Sequence, residues 1–189
     1  FENYLVDAKS IYVGRLGSST SSRKAISVAN NKLIGSVTFD DPSNIENALT
    51  NKYESIWNHF SLDERSKVLQ DIANHIEKEP NQLIFYLINE AGKTIQNAID
   101  EIREAVDFLR YYSQQINEIT RNNELEGPTG EKNNISYSDK GRFLCISPWN
   151  FPVAILIGQI SAALACGNNV LIKPSEHTSI LGYLVVKIF

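Results

Sequence analysis

Apolar and polar residues change their spacing several times along the chain, and each change marks an element. Residues 25–39 alternate around Asn30-Asn31 and Gly35, which predicts two short strands in a hairpin. From Asp40 the period lengthens. Asp40 or Asp41 can cap a helix and Pro42 suits its first position, with Ile45, Ala48, Leu49 and Tyr53 inward until the pattern fades near Trp57. Ser61-Leu62-Asp63-Glu64 is a capping box, in which hydroxyl and carboxylate each satisfy a free backbone amide. Val68, Leu69, Ile72, Ala73 and Ile76 follow at helical spacing. Pro80 opens a third helix, with Leu83, Ile84, Leu87 and Ile88 inward, closing at Ala91-Gly92. The longest helix is expected over about 95–118. Its apolar stripe is Ile99, Ile102, Ala105, Val106, Leu109 and Tyr112, and its solvated face is Asp100, Glu101, Arg103, Glu104, Asp107 and Arg110.

The period is then lost. Residues 119–141 are polar, with a turn cluster at Gly127-Pro128-Thr129-Gly130 and with Ile135 and Tyr137 alternating with Ser136 and Ser138. This predicts a loop and an exposed strand that ends in a turn at Asp139-Lys140-Gly141. Such an edge must be paired or covered, so it is a candidate contact between subunits. Beyond Gly141 the chain turns apolar. Residues 142–147 predict a buried strand, and residues 153–165 a helix apolar nearly all round. Gly158, Ser161, Ala162, Ala163 and Ala165 on that helix suit close packing against a sheet. Residues 170–173 predict a second strand, and Thr178-Ser179 starts a last helix over 180–189. Its Val185, Val186, Ile188 and Phe189 carry no C-cap signal, so an exposed apolar end, an open sheet edge and poor solubility are expected. Residues 1–24, with Gly14, Gly17 and the serine-rich run from Ser18 to Ser22, read as a loop or extended segment.

Composition narrows the class. At 189 residues, 42% apolar and 21% charged, the chain is an ordinary globular domain with a real core. A net charge of -4 without a basic stripe argues against a nucleic-acid partner. Without a run of about eighteen apolar residues, no transmembrane helix is expected, and the first residues form no secretory signal. Cys145 and Cys166 lie in apolar contexts; they read as packing residues of a reducing, cytoplasmic compartment rather than as nucleophiles. His59, His75 and His177 have no metal-ligand spacing and read as surface histidines.

The apolar stretch after Gly141 is a strand–turn–helix–turn–strand unit, and open α/β sheets bind ligands at the carboxyl ends of their strands. Asn150 and Lys173 fall there. Asn150, bracketed by Pro148-Trp149 and Phe151-Pro152, could donate to a developing oxyanion or could satisfy its own turn. Lys173 and Glu176 could clasp a ribose diol or form a surface ion pair. Spacing alone favours the plainer reading in both cases. Neither GxGxxG nor GxxxxGK[ST] occurs, so neither standard phosphate-cradling loop is available.

A resemblance changes the weighting. The stretch ISPWNFPVAILIGQISAALACGNNVLIKPSE at 146–176 resembles the signature of the NAD(P)-dependent aldehyde dehydrogenase superfamily. NEAGKT at 89–94, NAIDEIREAVDFLRYYSQQ at 97–115 and the later GPTGE are similar to the 1-pyrroline-5-carboxylate dehydrogenase module of bifunctional proline utilisation proteins. The likeness covers about 25–189. It implies an α/β chain, an incomplete aldehyde-dehydrogenase-like fold with the N-terminal helices and the start of a Rossmann-like NAD-binding sheet. Residues 1–24 would be an extended segment, and 25–118 the N-terminal strands and helices of the NAD-binding domain. Residues 119–141 would belong to an oligomerisation flap, and 142–189 would form the first strand–helix–strand–helix of the cofactor fold.

By the same resemblance Asn150 would stabilise the oxyanion formed when a cysteine thiolate attacks an aldehyde. Ile146, Ser147, Pro148 and Trp149 would line the cofactor cleft, and Lys173, Ser175 and Glu176 would meet the adenosine ribose of NAD. Glu176 favours NAD, since a carboxylate there would repel a 2′-phosphate. The implied reaction oxidises L-glutamate 5-semialdehyde to glutamate, by thiolate attack, hydride transfer to NAD and hydrolysis of the thioester with a Glu base. The family's nucleophilic Cys and general-base Glu lie after the matching segment, and the flavin-dependent half of the bifunctional proteins is not represented in it. The 189 residues alone are therefore expected to be inactive. Expected partners are a small aldehyde, further copies in a homo-oligomer of the full-length protein, and a complementary C-terminal chain. The alternative is a non-catalytic truncated product or an interaction fragment.

Overall fold

The computed structural model describes residues 4–12, 15–16, 21–50, 56–121 and 124–189; the expectations for Gly14, Gly17, the 18–20 part of the serine run and Tyr53 lie outside the described residues. Strand β1 (Val6–Ala8) is followed by β2 (Ile11–Tyr12) and β3 (Arg15–Leu16), which pair antiparallel. The hairpin expected over 25–39 forms from β4 (Ser22–Ile26) and β5 (Leu33–Thr38), antiparallel, but β4 starts three residues earlier, and β1 pairs parallel on the far side of β5, so part of the segment expected to be a loop is sheet. Its turn occupies residues 28–30, and Asn31 takes φ 58, a conformation that asparagine tolerates. Gly35 lies inside β5 rather than at the turn. A Cβ there would collide with the Val6 carbonyl, so the missing side chain lets β1 pair closely.

Helix α1 (Pro42–Thr50) starts as expected, with Asp41 Oδ1 accepting from the Ser43 amide at 2.8 Å. Its expected inward face is not inward: Ile45 is 49% and Leu49 53% exposed, because no described element covers that stripe. Helix α2 (Leu62–Lys78) carries the complete capping box, with the Ser61 amide donating to Glu64 Oε2 at 2.8 Å and the Glu64 amide to Ser61 Oγ at 3.3 Å. It buries Leu69, Ile72, Ala73 and Ile76. Helix α3 (Asn81–Asn89) buries Leu83 and Leu87. It also buries Tyr86, whose hydroxyl donates to the Ile34 carbonyl at 2.9 Å and ties the helix to β5. Helix α4 (Ile95–Arg121) buries Ile102, Ala105, Val106 and Leu109, while Ile99 stays partly exposed. One member of its expected solvated face is misassigned. Glu101 is 1% exposed and sits in the core.

After α4, β6 (Glu124–Leu125) and β7 (Asn133–Asn134) form a short antiparallel pair. The expected strand through Ile135 and Tyr137 is irregular chain, with Tyr137 exposed, since nothing described pairs with it. Then β8 (Arg142–Ile146), α5 (Ala154–Ala165) and β9 (Asn169–Lys173) form a parallel β–α–β unit, in register from Arg142 opposite Asn169 to Ile146 opposite Lys173. Strand β8 is not the buried strand expected. Cys145 is buried, but Phe143, Leu144 and Ile146 are exposed, because no element among the described residues covers them, and β8 is paired with β9 on one edge only. Helix α6 (Ser179–Ile188) closes the chain. Its end is not bare: Ile188 and Phe189 are half-buried against the core.

Helix α5 is apolar all round because it is wrapped. Gly158 lies against the Phe108 ring of α4, where an added Cβ would be 3.2 Å from the ring. The small residue thus permits helix–helix approach, not only contact with the sheet. Neither α5 nor α6 has a side-chain cap of its own. Both borrow one. Glu101 Oε1 accepts from the Val153 and Ala154 amides at 2.8 and 3.1 Å. Glu90, just past α3, accepts from the Ile180 and Leu181 amides at 2.9 Å each. The other end of α5 is tied too. Trp57 Nε1 donates to the Leu164 carbonyl at 2.9 Å and Arg65 to that of Ala165 at 3.2 Å. Asn168 Oδ1 accepts from the Lys140 and Gly141 amides while its Nδ2 donates to the Ala163 carbonyl, clamping the end of α5 to the start of β8.

Two outcomes follow from these borrowed caps. Burial holds the Glu90 carboxyl at about 7, against the two amide bonds and the nearby Arg23 charge, which favour the ionised form. A raised folded-state value means stability fully present below about pH 4.5 and lost as pH rises through about 7, on the order of 3 kcal/mol in all. The urea midpoint should therefore fall between about pH 5 and about pH 8, and Glu90→Gln should flatten that fall. Asn168→Ala should cost about 3 kcal/mol by urea denaturation, since it strips three hydrogen bonds from a buried corner. The exposed Asn150, changed to Ala, should stay within about 0.5 kcal/mol of the parent.

Candidate functional site

Parallel pairing brings the carboxyl ends of β8 and β9 to one edge, with Ile146 beside Lys173 and the Ser147 amide donating to the Lys173 carbonyl at 3.4 Å. From that edge the chain turns through Pro148-Trp149-Asn150-Phe151-Pro152 into α5. The turn is held on both sides. Gln159 Nε2 reaches back from α5 to the Ile146 carbonyl at 3.1 Å. On the other side Lys93 Nζ lies 4.1 Å from the centre of the Phe151 ring, a cation–π contact. The same ammonium pairs with Glu101 Oε2 at 2.6 Å, and both side chains are withdrawn from water.

Asn150 sits at the exposed apex, and among the described residues its carboxamide has no hydrogen-bond partner, so it is not satisfying its own turn. Trp149 beside it is exposed and Pro148 half-buried. Ser147 is only 4% exposed, yet among the described residues its hydroxyl has no partner. A buried, unpaired hydroxyl at a strand end is what a polar ligand atom would complete.

Lys173 is exposed at the end of β9. Ser175 caps the short turn Glu176–Thr178, its hydroxyl accepting from the His177 amide at 3.3 Å. Arg23 of β4 donates to the Glu176 carbonyl at 2.7 Å, which fixes the backbone and leaves the carboxylate outside. That carboxylate lies 3.8 Å from His177 Nε2. Among the described residues Lys173 and Glu176 do not pair with each other, so the surface ion pair is not formed. The edge thus gathers Ile146, Ser147, Pro148, Trp149 and Asn150 from one strand end and Lys173, Ser175 and Glu176 from the next.

No thiol joins them. Cys145 is buried on β8, and burial pushes its thiol up. Cys166 is exposed, not a packing residue, because it is the C-cap of α5 where the helix leaves the core. A 12-residue helix sets it about 18 Å from the Asn150 end. Among the described residues no group of His, Cys, Asp and Glu side chains could hold a metal ion, and no helix is long and apolar enough to cross a membrane.

Lys93, Glu90 and Glu101 were not singled out from the sequence as site-shaping residues. A signal existed for Glu101. It stands three residues after Ala98 and four before Ala105, both fully buried, and so lies on the stripe that α4 turns inward.

Residues 16–189 match the family described as the aldehyde dehydrogenase family. The chain is 45% identical over 141 residues to the bifunctional protein PutA of Salmonella typhimurium, covering 74% of this chain and 10% of PutA. It is 33% identical over 159 residues to 1-pyrroline-5-carboxylate dehydrogenase 1 of Halalkalibacterium halodurans, covering 83% of this chain and 31% of that enzyme. The fold superposes on a 1-pyrroline-5-carboxylate dehydrogenase from Thermus with bound NAD at a TM-score of 0.89 and 26% identity, over 99% of this chain and 37% of the other. The chain therefore spans between a tenth and about a third of the length of these curated relatives. With that match and with a β8–α5–β9 unit that presents Asn150 and Lys173 on one edge, the chain belongs to the aldehyde dehydrogenase family.

Proposed function

We propose that this chain is the cofactor-side part of an NAD-dependent aldehyde dehydrogenase that oxidises L-glutamate 5-semialdehyde, the open form of 1-pyrroline-5-carboxylate, to glutamate. The observation that carries the reading is the unpartnered Asn150 carboxamide beside Lys173 at the carboxyl ends of two parallel strands. The names of the relatives, PutA and 1-pyrroline-5-carboxylate dehydrogenase, support the substrate, and the Thermus enzyme with bound NAD supports the cofactor.

The residues at this edge fit NAD. The buried Ser147 hydroxyl lacks a partner among the described residues, Trp149 offers an exposed apolar face, and Lys173 and Glu176 present an exposed donor and acceptor to a ribose diol. Ile146, Ser147, Pro148 and Trp149 would line one side, and Lys173, Ser175 and Glu176 the ribose side. NAD, when bound, would supply the acceptor for the hydride lost once the thiolate has added to the aldehyde. Asn150 donates its amide hydrogens to the aldehyde oxygen as negative charge builds on it during thiolate attack. Donors fixed beforehand avoid reorganisation at that moment. With Cys145 buried and Cys166 at the far end of α5, the thiolate and the base that activates water come from polypeptide outside these 189 residues. The open edge of β8 and its exposed Phe143, Leu144 and Ile146 fit a sheet continued by further polypeptide, in the same protein or in a complementary chain. The β6–β7 segment within 119–141 fits a contact between copies of the assembled enzyme.

Two measurements check this. Titration with NAD should shift the NMR resonances of Ser147, Trp149, Lys173 and Glu176, with NADP weaker because of the Glu176 carboxylate; an unperturbed strand edge at saturating NAD would remove the cofactor assignment. The purified chain, given NAD and glutamate semialdehyde, should form no NADH. Sustained NADH formation would show that its own groups suffice.

A further inference from the structure

We propose that Lys93 and Glu101 are positioning residues for Asn150, linking the helical core to the turn that carries it. The significance of the device rests on reading Asn150 as an oxyanion donor; its existence does not.

The two oxygens of the Glu101 carboxylate have different partners. Glu101 Oε1 takes both free amides at the start of α5, Val153 at 2.8 Å and Ala154 at 3.1 Å. Glu101 Oε2 takes no amide and pairs with Lys93 Nζ at 2.6 Å. The carboxylate therefore does two separable things. It caps a helix, and it fixes an ammonium. Lys93 is itself placed by backbone. Gly92 adopts φ 71, turning the chain out of α3, and the Lys93 amide donates to the Leu87 carbonyl at 2.9 Å. Its side chain, 12% exposed, then runs inward to Glu101 with the ammonium 4.1 Å from the centre of the Phe151 ring.

Phe151 is the neighbour of Asn150. Phe151 is 38% exposed, so part of it has no packing neighbour. The ammonium supplies the missing restraint, and it is strong there because both charges are largely shielded from water. On the other side of the turn, Gln159 holds the Ile146 carbonyl from α5. Asn150 is thus exposed, without a hydrogen bond of its own, and framed by two anchors. A donor that must wait at a fixed spot without a partner needs restraint from its neighbours, and the pair Lys93–Glu101 gives it through Phe151.

The experiment measures order at Asn150 without substrate or cofactor, so a failed oxyanion reading would leave it intact, and a failed restraint would leave that reading intact. Backbone and side-chain ¹⁵N relaxation is recorded on the whole 189-residue chain for the parent, Lys93→Met, Lys93→Arg and the double variant Lys93→Met/Glu101→Gln. The double variant keeps one carbonyl oxygen for Val153 and Ala154 and removes both charges. In the parent, Asn150 and Phe151 should show order parameters near about 0.85, and in Lys93→Met and the double variant they should drop below about 0.6. Hydrogen exchange at Val153 and Ala154 should change less than tenfold in the double variant, and Lys93→Arg should restore order at Asn150. If Lys93→Met does not fold, the double variant decides. Unchanged order at Asn150 in the folded variants overturns the proposal. So does failure of both to fold, which would make the pair a support of the fold alone.

Discussion

A carboxylate without access to water, lying against the start of an uncapped helix, is the constraint from which much of this structure follows. Helix α5 is apolar on every face and carries no capping side chain at either end. Buried helix ends cannot leave their amides and carbonyls unpaired. Glu101 from α4 therefore supplies the acceptor at the amino end, and Trp57, Arg65 and Asn168 supply donors at the carboxyl end. The two charged groups carry the signs that the helix dipole favours, Glu101 negative at the start and Arg65 positive at the end. A lone buried carboxylate would cost several kcal/mol, which is why Lys93 lies against it. Glu90 repeats the arrangement at α6, where no lysine answers it and its carboxyl sits near neutrality.

These contacts also explain how a segment remote in sequence shapes the strand edge. The loop between α3 and α4 carries Glu90 and Lys93, and α4 carries Glu101. Together they hold the starts of both helices that follow β8 and β9. The strand ends inherit that order: Ile146 through Gln159, Phe151 through Lys93, and Glu176 through Arg23 of β4. Of the residues proposed to meet a ligand, Ile146, Trp149, Asn150, Lys173 and Glu176 are left exposed and Ser147 is buried, and the groups beside them are tied down.

Local signals were legible where the physics is local. The Ser61–Glu64 box, the Asp41 start of α1, the hairpin and the strand–helix–strand order after Gly141 all depend on residues within a few positions of each other. What was not legible depends on what lies opposite. Apolar residues of α1 and β8 read as buried because they are apolar, yet Ile45, Leu49, Phe143 and Leu144 have no covering element among the described residues. Glu101 read as solvated because it is charged, although its position between Ala98 and Ala105 puts it on the inner stripe. Charge identity misled where helical phase was the better guide. Asn150, Lys173 and Glu176 stood out by their place at predicted strand ends, and the resemblance gave them roles and added their neighbours; the geometry adds that the Asn150 carboxamide has no partner among the described residues and that Lys173 and Glu176 are unpaired with each other.

The borrowed caps bear on how any nucleotide could be held here. In many open α/β sheets the first helix after a strand offers its free amides and positive end to a phosphate. At this edge the two corresponding helix starts are already taken, α5 by Glu101 and α6 by Glu90. A phosphate brought to α5 would meet a filled amide pair and a carboxylate rather than an open anion site. The missing glycine-rich loop says the same from the sequence, since nothing there lets backbone approach a pyrophosphate closely. A dinucleotide on this edge must be gripped by the side chains at the strand ends, through its ribose and flat rings. Its phosphates must then be answered from elsewhere. That division fits Lys173 and Glu176, whose single donor and acceptor suit a diol better than a pyrophosphate.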